Sequence, residues 1–127
     1  MQKMRLGFIG AGFIAKFHAS ALRYVRTADL TGVYAIKGSE DLAAYAKSNG
    51  LGDCKVYSSI AELCKNSDAI AILAPNFARI EIVGQIAEAV KAGAKLKGVM
   101  CEKPLGRTVK EAKELVRMMK EVNLPTA

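Results

Sequence analysis

The sequence predicts an α/β fold in which a doubly wound parallel sheet lies between two layers of helices, giving three layers in the order α/β/α. Two observations support this prediction. Short strand-like runs alternate with segments of helical periodicity along all 127 residues. In addition, residues 68–73 are apolar after an initial aspartate, which is typical of a strand buried on both faces of a parallel sheet. Such strands are joined by right-handed crossovers.

The first half of the chain begins with a predicted strand over residues 5–10 and a helix over residues 13–24. The apolar residues at helical spacing in this helix are Phe13, Phe17, Ala21 and Leu22. A second strand is predicted over residues 30–36. Ser39 is a suitable N-cap for the next helix, which Asn49-Gly50 ends.

In the second half, strands are predicted over residues 55–57, 68–73 and 99–101. Two capping-box patterns, at residues 59–62 and 108–111, each open a helix. A third helix is predicted over residues 77–92, with an apolar face made of Ile80, Val83, Ile86, Ala87 and Val90. The face predicted for the last helix is made of Val109, Ala112, Leu115, Val116 and Met119.

Composition excludes several classes of protein. Half of the residues are apolar (51%) and 24% are charged, so a compact core is expected and intrinsic disorder is not. No apolar run reaches the roughly 18 residues that a membrane-spanning helix needs. The net charge of +7 suggests an anionic partner, which leaves nucleic acid, a membrane surface or a phosphorylated small molecule open. Nucleic acid is disfavoured because the basic residues are dispersed and no aromatic stacking platform is present.

The cysteines give no sign of a disulfide framework or a metal site. Cys54, Cys64 and Cys101 are odd in number, lie far apart and form no C-x-x-C pair. Reduced thiols in a cytoplasmic protein are therefore expected, with no metal bound.

A glycine-rich loop follows the first strand. Residues 10–15 read G-x-G-x-x-A, where Gly10 permits a tight turn, Gly12 lets a pyrophosphate approach the backbone, and Ala15 lets the helix pack closely on the strand. The N–H groups at the helix start, together with the helix dipole, favour an anion. This strand–turn–helix context predicts dinucleotide binding.

The residues that follow the second strand favour NADP over NAD. NAD sites usually place an acid here for the ribose 2′-hydroxyl, whereas NADP sites place a cation for the 2′-phosphate. Lys37 supplies a cation, and Ser39 adds a hydroxyl at a helix start. Glu40 and Asp41 lie close by and would weaken the preference, so NAD stays open as the alternative.

The triplet Glu102-Lys103-Pro104 follows the fifth strand, at the sheet edge where parallel sheets bind their ligands. A lysine beside a nicotinamide can hydrogen-bond a substrate hydroxyl and act as a proton carrier. A surface Glu-Lys pair at a strand end is the alternative that the triplet alone leaves open.

The glycine loop, His18, Ala74-Pro75-Asn76 and the segment 101–105 together resemble the Gfo/Idh/MocA family, in order and spacing, over nearly the whole chain. The resemblance implies an NAD(P)-dependent oxidoreductase with a Rossmann fold that passes hydride between nicotinamide and a sugar or polyol. It implies that Gly10, Gly12, Phe13 and Ile14 border the pyrophosphate and that Lys37 takes the place of an Arg found in NADP-using members. It further implies that Ala74, Pro75 and Asn76 line the nicotinamide side, that Glu102 holds the nicotinamide ribose or orients its neighbour, and that Lys103 is the catalytic lysine.

Two positions need comment beside this resemblance. The family often has a histidine where this chain has Arg79, which leaves the contact there open. We interpret His18, the only histidine, as a packed or helix-capping residue rather than a catalyst.

The resemblance also implies a carboxy-terminal α/β domain that holds the substrate pocket. Residues 1–127 are therefore expected to be the cofactor domain of a longer cytoplasmic homo-oligomer and to be inactive alone. The alternative is a free-standing dinucleotide-binding sensor or regulatory module, and coding sequence beyond Ala127 would separate the two.

Overall fold

A parallel sheet of five strands forms the centre of the structure, a computed structural model that describes residues 2–127. The strands in chain order are β1 (Met4–Ile9), β2 (Ala28–Tyr34), β3 (Lys55–Val56), β4 (Ala69–Ile72) and β5 (Gly98–Cys101). The helices are α1 (Phe13–Ala21), α2 (Ser39–Ser48), α3 (Ile60–Lys65), α4 (Arg79–Lys91) and α5 (Val109–Glu121). Short 3-10 helices lie at Leu22–Tyr24 and Asn76–Ala78.

The strands lie in the order β3-β2-β1-β4-β5, so the chain runs outward from β1 in one direction and then returns to build the other half. This arrangement confirms the doubly wound sheet. The direction reverses between β1 and β4, which pair in parallel from Leu6 with Ala69 to Ile9 with Ile72. Ligands of such sheets bind beyond the carboxyl ends of the strands at this reversal.

Two separate hydrophobic layers cover the two faces of the sheet. Strand β4 and the residue after it show the division, because Ile70 and Ile72 point into the layer formed by α3, α4 and α5, whereas Ala71 and Leu73 point towards α1 and α2. All four side chains are buried. The three-layer prediction and the strand buried on both faces are therefore confirmed.

Ser59 and Thr108 cap their helices at the predicted starts, through the hydroxyl half of each capping-box pattern. The Ser59 hydroxyl accepts a hydrogen bond from the Glu62 amide at 3.1 Å, and the Thr108 hydroxyl accepts one from the Glu111 amide at 3.1 Å. Each bond satisfies an amide that the first turn of a helix leaves without a partner.

The predicted apolar face of the first helix is wrong at Phe13, Phe17 and Ala21, whereas Leu22 packs against the core as predicted. Phe13 and Phe17 are 85% and 61% exposed, and the buried residues are Ala15 and Ala19. The small residues face the sheet because they allow the helix to approach it closely, which leaves the two phenyl rings in contact with each other on the outside. The α-helix also ends earlier than predicted, at Ala21, and a 3-10 turn over Leu22–Tyr24 follows it.

Ser39 is not the N-cap of α2. That position belongs to Gly38, whose carbonyl oxygen accepts from the Leu42 amide at 3.1 Å, and Ser39 is the first helical residue. Gly38 adopts φ +83°, a left-handed conformation that favours glycine.

Two other helices differ in detail from their predicted faces. Phe77 precedes α4 in a 3-10 turn, and the buried residues of α4 are Arg79, Ile82, Val83, Ile86, Ala87 and Ala89. On α5, Leu115 and Met119 are buried as predicted, whereas Val109 and Val116 are exposed. No helix within residues 2–127 has the length and apolar character that crossing a membrane requires.

Candidate functional site

Every predicted site segment follows the carboxyl end of a strand on the same edge of the sheet. Strands β1, β2, β4 and β5 end at Ile9, Tyr34, Ile72 and Cys101, and the segments 10–14, 37–39, 74–76 and 102–103 come just after them. The topology therefore brings these four segments together around the reversal between β1 and β4.

The turn at Gly10 requires glycine. Gly10 adopts φ +112°, and a Cβ built there would lie 2.8 Å from the backbone nitrogen of Ala74. Its amide donates to the carbonyl oxygen of Tyr34 at 2.9 Å. Gly10 thus allows the loop after β1 to lie against the loop after β4.

Gly12 is a glycine for a different reason. It is the N-cap of α1 with φ −84° and ψ −159°, an extended conformation, and a Cβ built on it meets no described atom within 4 Å. Residues 13–16, the first turn of the helix, include no acid. The start of α1 is therefore an open cradle at the positive end of a helix dipole, where backbone amides can meet an anion.

Lys37 and Gly38 form the neighbouring wall of this cradle. A Cβ on Gly38 would lie 3.3 Å from the carbonyl oxygen of Ala11, so the loop after β2 lies close to the glycine loop. The Lys37 side chain is exposed and forms no ion pair within residues 2–127. Glu40 and Asp41 lie in the first turn of α2, where carboxylates favour the helix dipole.

The carboxylate of Glu102 links α1 to the backbone at Lys103. Its Oε1 lies 3.0 Å from Nε2 of His18, and its Oε2 accepts from the Lys103 amide at 2.8 Å. Both hydrogen bonds lower the pKa of Glu102 below its usual range, and the bond with His18 has the larger effect. The carboxylate is therefore ionised at neutral pH and holds the Lys103 backbone, while the Lys103 side chain is exposed.

Sequence reasoning missed the pairing of His18 with Glu102. The two residues are 84 positions apart in the chain, and no local pattern connects them. His18 is half-buried and in edge contact with Phe17, which agrees with a packed residue.

Arg79 is the second residue whose role the sequence left open. The residue is 3% exposed at the start of α4. It donates from Nη1 to the carbonyl oxygens of Pro104 and Leu105, the latter at 3.2 Å, and from Nη2 to that of Ala74 at 3.3 Å. The loops after β4 and β5 are therefore joined through this guanidinium.

Burial raises the pKa of all three cysteine thiols. Burial raises the pKa of Cys54 to about 11 and that of Cys64 to about 12, so both are protonated thiols. Cys101 is partly buried at the end of β5, and burial raises its pKa as well.

The strand order, the glycine turn and the open start of α1 define a dinucleotide-binding domain of the Rossmann type. Residues 4–126 match the family model described as "Oxidoreductase family, NAD-binding Rossmann fold", and the chain belongs to this Gfo/Idh/MocA family. The predicted family resemblance is thereby confirmed.

Known proteins similar to this chain are about three times its length. It is 35% identical to glucose-6-phosphate 3-dehydrogenase of Bacillus subtilis (strain 168) over 108 residues, which cover 85% of this chain and 28% of the relative. The structure of UDP-N-acetylglucosamine 3-dehydrogenase GnnA from Acidithiobacillus ferrooxidans aligns with a TM-score of 0.77 at 25% identity, over 99% of this chain and 38% of that one.

A third comparison concerns the fold alone. The structure of GenD2 from gentamicin A biosynthesis, in complex with NAD, aligns with a TM-score of 0.80 at 21% identity. It covers 100% of this chain and 34% of that chain. This chain therefore spans about a third of the length of the relatives that it matches.

Proposed function

We propose that this chain is the NADP(H)-binding domain of an oxidoreductase that transfers hydride between nicotinamide and a carbon atom of a sugar or polyol. The observation that carries the proposal is the open start of α1 behind Gly12, on the edge of the sheet where the loops after β2, β4 and β5 also lie. The names of the two relatives support the substrate class, since one is a dehydrogenase of a sugar phosphate and the other of a nucleotide sugar.

The pyrophosphate belongs at the start of α1. Gly12 keeps a side chain out of the cradle, Gly10 lets the loop after β4 lie against the turn, and the amides of Phe13 and Ile14 lie in the first turn of the helix. Amides at this end of a helix lack carbonyl partners within the helix and are free to donate to phosphate oxygens. These features support binding of a pyrophosphate at the start of α1.

The adenosine ribose with its 2′-phosphate belongs beside Lys37 and Ser39. An exposed ammonium group without a carboxylate partner in residues 2–127 supports NADP, because a 2′-phosphate needs a cation and a bare hydroxyl does not. Ser39, as the first residue of α2, adds a hydroxyl at a second helix start. NAD is the alternative cofactor, and the complex of GenD2 with NAD is a property of that protein.

A change of charge at Lys37 tests this preference. Lys37→Asp should weaken NADPH binding about 10–100-fold, the worth of a charge-assisted contact, and leave NADH binding equal or stronger. Titration by cofactor fluorescence measures both affinities. Lys110→Asp, which makes the same change of charge on α5, is the matched control. Equal affinities of the wild type for NADPH and NADH would remove the argument for NADP.

The nicotinamide half belongs between the loops after β4 and β5. Ala74, Pro75 and Asn76 form one wall, and Glu102 and Lys103 form the other. A bound nicotinamide supplies the carbon that accepts or donates hydride. Lys103 contacts the substrate oxygen and holds or releases a proton at Nζ, while Glu102 keeps the backbone of Lys103 in place.

The substrate pocket belongs to a second domain of the full-length protein, since the relatives are about three times as long as this chain. The 127-residue chain should bind NADPH but form none from NADP and glucose 6-phosphate, glucose or myo-inositol, as measured by absorbance at the nicotinamide band. Turnover by this chain alone would contradict the two-domain proposal. Three cysteines without disulfide bonds support a cytoplasmic location, and homo-oligomerisation stays a prediction of the family resemblance.

A further inference from the structure

We propose that Arg79 is a positioning residue, which sets the geometry of the nicotinamide half of the site by tying the loop that carries Lys103 to the loop at Ala74. This inference rests on the proposed function, because it concerns the same cofactor site. Arg79 does not reach the glycine loop or Lys37 by any hydrogen bond in residues 2–127. Its influence is therefore directed to one half of the dinucleotide.

The hydrogen bonds of Arg79 join two separate loops. Nη1 donates to the carbonyl oxygens of Pro104 and Leu105, the two residues after Lys103. Nη2 donates to the carbonyl oxygen of Ala74, in the loop after β4. A planar guanidinium has several N–H groups at fixed angles, so it can serve carbonyl groups that point from different directions. A lysine ammonium, although cationic, has no such fixed fork.

The guanidinium of Arg79 forms no ion pair within residues 2–127. The residue is almost completely buried. Its Nε is buried and has no hydrogen-bond partner in the described part of the chain. A buried cation is costly unless its N–H groups are satisfied, so the three carbonyl groups are what holds it.

Helix stability does not explain Arg79 either. It is the first residue of α4, where the positive end of the helix dipole disfavours a cation. An apolar residue would pack against the buried face of α4 without this penalty, but it would leave the carbonyl groups of Ala74, Pro104 and Leu105 without their donor. The loops, rather than the helix, account for an arginine at this position.

The segment from Glu102 to Leu105 is thus held from two sides. On the α1 side, Glu102 contacts His18 and binds the Lys103 amide. On the α4 side, Arg79 binds the two carbonyl groups that follow Lys103. Loss of Arg79 releases one side, so the exposed Lys103 side chain no longer starts from a fixed backbone.

Binding measurements with two ligands distinguish a positioning role of Arg79 at the nicotinamide half from a role in the stability of the whole domain. NADPH occupies both halves of the proposed site, whereas adenosine 2′,5′-bisphosphate lacks the nicotinamide half. Arg79→Met should weaken NADPH binding about tenfold and change binding of the bisphosphate less than about twofold. Arg79→Lys, which keeps the charge, should fall between the wild type and Arg79→Met and carries the test if the methionine variant does not fold.

A matched control and a measurement without cofactor complete the experiment. Arg107→Met removes an exposed arginine near the same loop, whose partner is Glu111, and should leave both affinities unchanged. In the cofactor-free chain, hydrogen exchange at the Lys103 amide, which donates to Glu102, should be faster in Arg79→Met than in the wild type. Equal losses of affinity for both ligands, or no loss for NADPH, would overturn the role of Arg79. Failure of the wild type to bind either ligand would instead overturn the proposed function.

Discussion

Replacement of Gly12 by alanine should separate cofactor binding from folding. A Cβ at Gly12 meets no described atom within 4 Å, and its extended backbone, with φ −84°, is one that alanine adopts. Alanine is a poorer N-cap than glycine, by about 0.5–1 kcal/mol. It also reduces the freedom of the unfolded chain, which stabilises by about 0.4–1 kcal/mol. These effects oppose each other, so the free energy of unfolding should change by less than about 1 kcal/mol.

The same methyl group lies in the cradle assigned to the pyrophosphate. If it displaces the phosphates from even one backbone amide, the loss is about 1.5–3 kcal/mol, which corresponds to about 10–100-fold in affinity for NADPH. Urea unfolding measures the stability of Gly12→Ala, and fluorescence titration with NADPH measures its affinity.

Gly84→Ala is the matched control for Gly12→Ala. Gly84 lies within α4, and the nearest described atom to a Cβ there is the Met118 sulfur, 3.9 Å away. This variant should be more stable than the wild type by about 0.5–1 kcal/mol, as alanine is the better helix former, and should bind NADPH equally well. A folded Gly12→Ala with wild-type affinity for NADPH would refute the assignment of the cradle.

Two further changes test the fold around the site. Gly10→Ala should lower the free energy of unfolding by about 1–3 kcal/mol, because φ is +112° and the new Cβ would lie 2.8 Å from the Ala74 nitrogen. A urea midpoint of unfolding equal to that of the wild type would contradict this. Asp68 accepts hydrogen bonds from the side chain and the backbone of Arg5, which lower its pKa. Its ionised form therefore stabilises the native state above the usual carboxyl pKa, and this contribution is lost as the pH falls through the lowered value. Asp68→Asn should be less stable at pH 7 and lose less stability on acidification to about pH 3, and identical pH profiles in urea unfolding would refute this.

The parts of the fold that sequence predicted correctly depend on local physics. The Ser59 and Thr108 caps need only residues three positions apart, and the buried strand β4 is visible as an uninterrupted apolar run. Gly10 and Gly12 are recognisable because a short glycine motif between a strand and a helix has few other uses. Order and type of the elements follow from such signals.

The errors come from interactions that local patterns do not contain. Hydrophobicity alone assigned Phe13 and Phe17 to the core, whereas the distance between α1 and the sheet selects Ala15 and Ala19. Likewise, His18 and Glu102 are 84 positions apart and meet only because α1 and the end of β5 border the same crevice. Arg79 reaches Pro104 across 25 positions in the same way.

The most direct test of cofactor binding at this crevice is the change in backbone amide resonances of the 127-residue chain on titration with NADPH. We expect saturable shifts confined to the segments at the carboxyl edge of the sheet, namely residues 10–14, 37–39, 74, 76, 102, 103 and 105, since Pro75 and Pro104 have no amide proton. The polar depression at the opposite edge of the sheet, which includes Lys3, Arg23 and Arg26, should remain unaffected. Shifts centred on that depression, or the absence of saturable shifts at the start of α1, would contradict the assignment of the crevice as the dinucleotide site.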